Sequence, residues 1–375
     1  MIFGQQRWVV VWLAIIFCQS TIWAQSQDEA VSLDQNQTTS QFPDLEGSYG
    51  KLRVSGFGVG AYEYVGNTND NSFKADKVAI SAFEQVNSQL YFFGQLTTAL
   101  EEEATGIEID NLILSYTPAG LPGLTILGGK FDAPVGFERD DEPLNFQASN
   151  SFNFELGRPV KYSGVQVMYT LNPTWSLTGY VVNGWNLDVD NNKAKTVGTR
   201  LGFSPGELSN LGLSFVLGFP KENDDRRVRV LTNIDYTLQT GRNWVVAGEI
   251  NLGREEGAGE NGQTADWFGG QLTSYYQATN RLGLALRYDV FRDADGARTG
   301  LTQTLQSFSI GPSWKLKRSQ YGAYSVREHT TFGIPQFEIR LEFRVNHSNQ
   351  PFFEDLDESL DRWETRTEIQ TVIVF

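Results

Sequence analysis

Two histidines and one cysteine in 375 residues leave little for imidazole or thiolate chemistry. His347 and Ser348 are adjacent, and neighbours on an extended chain point to opposite faces, so they would not meet as a dyad. His329 stands in a stretch without clear periodicity. Cys18 is alone, which excludes a disulfide framework and thiolate metal sites. No phosphate-binding glycine loop and no metal-ligand spacing is present, and Gly56-Phe57-Gly58-Val59-Gly60 lies within a strand pattern. No catalytic residue, cofactor or metal is therefore expected. What remains is charge, in two groups. Asp132, Glu138, Arg139, Asp140, Asp141 and Glu142 crowd one aperiodic stretch, 131–160, with Glu155 and Arg158 further along. Arg227, Arg229, Arg287, Glu338, Arg340, Glu342, Arg344 and Arg366 sit within or beside segments of strict alternation. Opposed rings of charge separated by water select and orient ions without making or breaking bonds.

The elements that would hold such rings are strands. In Phe337 to Asn346 every odd position is apolar or aromatic and every even position is polar or charged, a period of two. Val228, Val230, Thr232, Ile234, Tyr236 and Leu238 alternate in the same way with Arg227, Arg229, Asn233 and Asp235. So do Leu282, Leu284, Leu286, Tyr288 and Val290 with Arg281, Arg287 and Asp289. One segment breaks phase: Ile107 and Ile109 do not match Leu112, Leu114 and Tyr116, and a bulge near Asp110-Asn111 would reconcile them.

From about residue 50, sixteen such segments follow one another, separated alternately by short turns and longer polar loops. The first expected strand is Lys51 to Val65, the tenth Arg227 to Gln239, the fifteenth Phe337 to Asn346 and the last Trp363 to Phe375. Residues 316–334 are expected to form a longer turn. An even count, two-faced strands and turn asymmetry predict an all-β fold, a transmembrane antiparallel up-and-down β-barrel of about 16 strands. Trp175, Trp185, Trp244, Trp267, Tyr275, Tyr276, Trp314 and Trp363 cluster near strand ends, as an interfacial aromatic girdle would.

Composition agrees. Charged residues are 20% and mean hydropathy is −0.32, too polar for a helical membrane protein. Beyond the first two dozen residues no apolar run nears the ~18 residues a spanning helix needs. Residues 1–24 have a secretory signal's layout: Arg7, the apolar run Trp8 to Phe17, and Ile22-Trp23-Ala24 before a cleavage point. Cleavage would remove Arg7 and no acid, leaving 29 basic against 45 acidic residues, net −16. That acidity argues against nucleic acid as a partner. Residues 25–48 read as an acidic flexible leader, and 49–375 as the barrel. Phe375 closing an alternating strand looks like the signal by which bacterial barrels are recognised for insertion.

Gly129-Lys130-Phe131-Asp132-Ala133-Pro134-Val135-Gly136-Phe137-Glu138, then Asn145, Ser149-Asn150-Ser151-Phe152 and Val181-Val182-Asn183-Gly184-Trp185, resemble the OmpL-like beta-barrel porins of the beta-barrel porin-2 type. Phe337 to Asn346 with its exit His347-Ser348-Asn349-Gln350 is similar to their penultimate strand. The resemblance implies a bacterial outer-membrane diffusion channel and says little about the solute. Its partners would be outer-membrane lipid, the barrel-insertion machinery and small polar solutes or ions. The oligomeric state is open, a homotrimer being common for sixteen strands.

By analogy with sixteen-stranded porins, loop 131–160 is expected to fold inward as a pore-constriction loop. The arginines at 227, 229, 287, 340, 344 and 366 are expected opposite it on the pore wall. An acidic loop facing a basic wall would set a transverse field, and the overall acidity predicts a preference for cations. The plainer alternatives are an external loop and wall charges that merely neutralise one another. Rival functions are a substrate-specific channel with a solute-binding lumen, a barrel-anchored enzyme or adhesin, and a soluble β-sandwich.

Overall fold

In the computed structural model the described residues are 50–101, 104–206, 209–241, 243–316 and 336–375. The expected signal peptide, the acidic leader, His329 and nearly all of the turn at 316–334 lie outside them. The strands are β1 (Arg53–Val65), β2 (Asn71–Gln85), β3 (Leu90–Glu101), β4 (Ala104–Tyr116), β5 (Leu124–Asp132), β6 (Lys161–Thr170), β7 (Trp175–Val182) and β8 (Thr196–Gly206). They continue with β9 (Ser209–Gly218), β10 (Arg229–Thr240), β11 (Trp244–Glu255), β12 (Ala265–Gln277), β13 (Leu282–Asp293), β14 (Gln303–Lys315) and β15 (Phe337–Ser348). A two-residue hairpin, β16 (Phe353–Glu354) and β17 (Leu360–Asp361), decorates the loop before β18 (Trp363–Val374). Apart from that hairpin, sixteen strands pair with their sequence neighbours, and β18 pairs back onto β1 to close the barrel. Closure satisfies every edge, which hydrocarbon requires because it offers backbone groups no partner. Among the described residues no helix is long and apolar enough to cross a membrane.

Alternation sorts the side chains as the period of two demands. On β15, Leu341 and Phe343 are 42% and 44% exposed on the outer face, while Arg340 and Glu342 are buried inside. The phase break on β4 is a bulge. Gln95 pairs with Asn111 and Leu96 with Ile109, which leaves Asp110 as the extra residue. Asp110 and Asn111 are both buried, whereas Ile107, Ile109, Leu112 and Leu114 share the outer face. A second shift, between Val59 and Gly60 against β2, makes Asp76 the extra residue there.

The aromatic girdle is smaller than expected. Trp175, Trp244, Tyr276, Trp314 and Trp363 are exposed outside, but Trp267 and Tyr275 are buried inside the barrel. Trp185 stands in the β7–β8 loop, half-buried against interior apolar residues. These rings pack on the in-folded loop, which alternation alone could not foresee. The tenth strand also starts later than expected. β10 begins at Arg229, and Arg227 lies in the β9–β10 loop with its side chain half exposed, beside Asp224.

Candidate functional site

The chain between β5 and β6, 133–160, enters the barrel and lodges there. It carries a short 3-10 turn (Glu142–Leu144) and the helix α1 (Phe152–Gly157), whose N-cap Ser151 accepts from the Phe154 N–H. Four loop phenylalanines, Phe137, Phe146, Phe152 and Phe154, are buried. Phe137 and Phe146 pack with Val245, Ala247, Tyr275 and Ala285, and Phe152 packs with Trp267, Phe291, Leu305 and Phe353. Each such ring contributes about 1.5–3 kcal/mol of burial. Gly136 makes the turn possible: its φ is +76°, and a Cβ there would lie 2.3 Å from Glu249 Oε2 and 2.6 Å from Arg158 Nε.

A buried loop must find partners for its backbone, and the wall supplies them. The Gly136 N–H donates to Asn233 on β10 (3.2 Å) and the Phe137 N–H to Glu249 on β11 (2.8 Å). The Phe152 N–H donates to Asp289 on β13 (3.0 Å), and the Ala148 and Ser149 N–H groups to Glu342 Oε2 on β15 (2.8 and 3.1 Å). Wall donors take the carbonyls. Arg340 Nη1 reaches Glu142 O and Gln147 O (2.9 and 3.0 Å), Arg344 Nη1 reaches Asn150 O (2.8 Å), and Gln370 Nε2 reaches Ala148 O (3.1 Å). Arg287 meets Glu138 Oε1 at 3.0 Å and Glu342 Oε1 at 3.6 Å. The helix end is held by Trp267 Nε1 on Gly157 O (3.1 Å) and by the Arg158–Glu249 pair (3.2 Å).

The arginines at 287, 340 and 344 therefore bond the loop directly rather than facing it across water. Glu338 pairs with Arg340 at 2.9 Å. Arg229 pairs with Glu255 at 2.6 Å, and Arg366 with Glu63 and Glu364 at 3.2 and 2.8 Å. Asp140, Asp141 and Glu142 of the loop, with Asp110 on β4 and Asp132 on β5, meet two lysines instead. Lys77 on β2 lies 3.3 Å from Asp140, 3.6 Å from Asp141 and 3.8 Å from Glu142. Lys161 on β6 lies 2.7 Å from the bulge residue Asp110, 2.6 Å from Asp132 and 3.9 Å from Asp140. Gln95 donates to both Asp141 oxygens at 3.0 Å. Oxygens of Asp110, Asp140 and Asp141 converge within 4.8 Å of one another, with the ammonium groups as their partners. Asp132 and Asp140 keep about a third of their side chains open to solvent. Burial pushes Asp141 up to about 6 and Glu142 up to about 7. The sequence reading missed Lys77, Lys161 and Asp110. Lys77 was legible as a cation on the Ala79/Ser81 side of β2, but its nearness to the loop was not.

The other candidate chemistry falls away. Ser348 Oγ faces inward and donates to Gln303 Oε1 (2.7 Å), while the His347 ring packs tilted against Trp363, ring centroids 4.2 Å apart.

A closed sixteen-strand barrel with an apolar outer band, a charged interior and one long inserted loop defines a porin-type outer-membrane channel. The chain belongs to the family described as "Putative beta-barrel porin-2, OmpL-like", whose model matches residues 62–375. No curated protein matches the sequence. Among solved structures it is similar to the outer-membrane channel DcaP of Acinetobacter baumannii, at 11% identity and TM-score 0.60, covering 86% of this chain and 97% of that one. It is also similar to Salmonella typhi OmpF in complex with daunomycin, at 12% identity and TM-score 0.60, covering 88% and 99%. An anion-selective porin from Comamonas acidovorans matches at 9% identity and TM-score 0.58, covering 87% and 99%. At these identities the likeness is one of fold.

Proposed function

We propose that this porin is a narrow, cation-preferring diffusion channel whose selectivity is set between the inserted loop and the β2–β6 wall. The observation that carries the reading is the charge there. Asp110, Asp132, Asp140, Asp141 and Glu142 stand against the ammonium groups of Lys77 and Lys161, with the Arg139 guanidinium beside Asp132. Formal charge in that constriction is net negative, and low-dielectric walls focus its field. The arginines at 287, 340 and 344 keep the loop in place, so they act on permeation through loop position. Planar-bilayer reversal potentials in a KCl gradient test the reading, and a preference for chloride would overturn it.

The same reading assigns residues 1–24 to export, Phe375 to recognition by the insertion machinery, and no reaction to the lumen. A homotrimer in the outer membrane is the assembly we propose, with cross-linking of the purified protein as its check.

A further inference from the structure

At the long-loop end of the barrel one guanidinium shares an indole with Arg229 and, among the described residues, has no carboxylate partner of its own. Arg298 lies in the β13–β14 loop. Its backbone is fixed because Asp293 accepts from the N–H groups of Ala297, Arg298 and Thr299, at 2.9, 2.8 and 2.7 Å. Its Nε donates to Leu156 O at 2.6 Å, at the end of α1. Among the described residues its two terminal nitrogens pair with no carboxylate. Most of the other charged wall arginines have one: Arg200 with Asp235, Arg229 with Glu255, Arg287 with Glu138, Arg340 with Glu338.

Arg298 is held among aromatic rings. Its Cζ is 5.6 Å from the Trp185 ring centre and 5.5 Å from that of Trp267, and Arg229 Cζ is 4.6 Å from the same Trp185 ring. The two indoles meet edge to face at 6.1 Å. Leu156, Trp185 and Phe352 are half-buried and pack on the interior cluster of Phe152, Trp267, Phe291, Leu305 and Phe353. An unpaired guanidinium fork beside a rim of partly open apolar surface matches an anion that carries its own apolar body. The fork takes a carboxylate by two parallel hydrogen bonds, and the rim shields the ligand's hydrocarbon from water. Burial and the nearby Arg229 lower Arg298 only to about 10, so it stays charged at neutral pH.

We propose that Arg298, with Trp185, Leu156 and Phe352, forms a binding seat for small organic monocarboxylates with a flat apolar body. The proposal rests on the channel reading and gives it a solute class. Small inorganic ions respond to the net charge of the constriction, whereas such a solute is first concentrated at the seat by contact.

The probe is benzoate, followed by saturation-transfer NMR on the full-length protein folded in detergent micelles. Acetate and benzyl alcohol serve as the ligand controls. Wild type binds benzoate more tightly than either control. Arg298→Gln weakens benzoate by about tenfold or more, the loss of one charge-assisted pair, and Arg298→Lys gives an intermediate value. Arg254→Gln, an exposed arginine paired with Asp266 on the outer face, leaves binding unchanged. Unboiled gel migration establishes that each variant is folded. Equal benzoate affinity in wild type and Arg298→Gln overturns the seat. So does acetate or benzyl alcohol matching benzoate, since the seat needs both charge and body. Potassium chloride conductance of the same preparations is read separately. Absence of any channel sinks the channel reading, whereas conduction with no Arg298-dependent binding sinks the seat alone.

Discussion

Glu342 is one of the wall residues that hold the inserted loop directly, and removing it gives a measurable opening. Its carboxylate accepts the Ala148 N–H, the Ser149 N–H and the Ser149 hydroxyl, at 2.8, 3.1 and 2.6 Å, and lies 3.6 Å from Arg287. Glu342→Ala deletes all three bonds and strands two backbone N–H groups. Bonds to a charged acceptor contribute about 1.5–3 kcal/mol each and do not add fully. Breaking a buried ionic contact costs about 3–5 kcal/mol, and Arg287 retains Glu138 and Asp289 as partial compensation. Taking about 3–5 kcal/mol, the equilibrium between docked and released loop falls by roughly 100- to 4,000-fold. The barrel keeps its strand pairing, since Glu342 contributes its backbone to β15 regardless. Single-channel recordings should show larger conductance with loop-scale fluctuations, and trypsin should cut after Arg139, which the docked loop protects; Arg158 precedes Pro159 and stays resistant. Glu342→Gln, which keeps an acceptor of the same shape, should lie between. Wild-type conductance together with wild-type trypsin resistance in Glu342→Ala would refute the anchoring argument.

Acidification should act on selectivity and on the loop together. Asp141 and Glu142 sit at about 6 and 7 in the docked loop, above their ordinary values of 3.8 and 4.5 in a released one. Between about pH 4 and 8 the docked state therefore binds more protons, and docking strengthens as pH falls. Reversal potentials should show cation preference greatest near pH 8 and shrinking toward pH 5, with fewer loop-opening events at the acid end. A preference that grows on acidification would count against the constriction. Deleting Asp110 restores regular alternation between Asn111 and Ile109, so the barrel should still show heat-modifiable migration while losing one carboxylate beside Lys161 and part of its cation preference. Failure of that deletion to fold would mean that the bulge is structural. Gly136→Ala forces a side chain into a left-handed position against Glu249 and Arg158, costing at least about 1 kcal/mol of loop docking. Its signature is raised conductance noise with unchanged gel migration.

How much was legible in advance differs between fold and site. The strand faces of β10, β13 and β15, the closed sixteen-strand count and the bulge at Asp110 follow from alternation, because a residue in a pleated strand has only two directions to point. The alternating charges of Glu338, Arg340, Glu342 and Arg344 were equally visible, and so was their inward direction. Their partners were not. Glu342 meets Ser149 from 193 residues away in sequence, and no local pattern encodes that distance.

By itself, then, the sequence determined which side of each strand faces lipid, since a two-residue period leaves no third choice and hydrocarbon tolerates only the apolar face. Tertiary structure decided what the inner charges do. Once loop 133–160 enters the lumen, its buried N–H and C=O groups must be satisfied, and the nearest inward acceptors and donors are taken for that purpose. The wall arginines became anchors, Trp267 and Tyr275 became interior packing, and Lys77 and Lys161 became the counter-charges of the constriction. Those assignments depend on where a 28-residue excursion comes to rest, and that is settled by the sum of its contacts around the whole barrel.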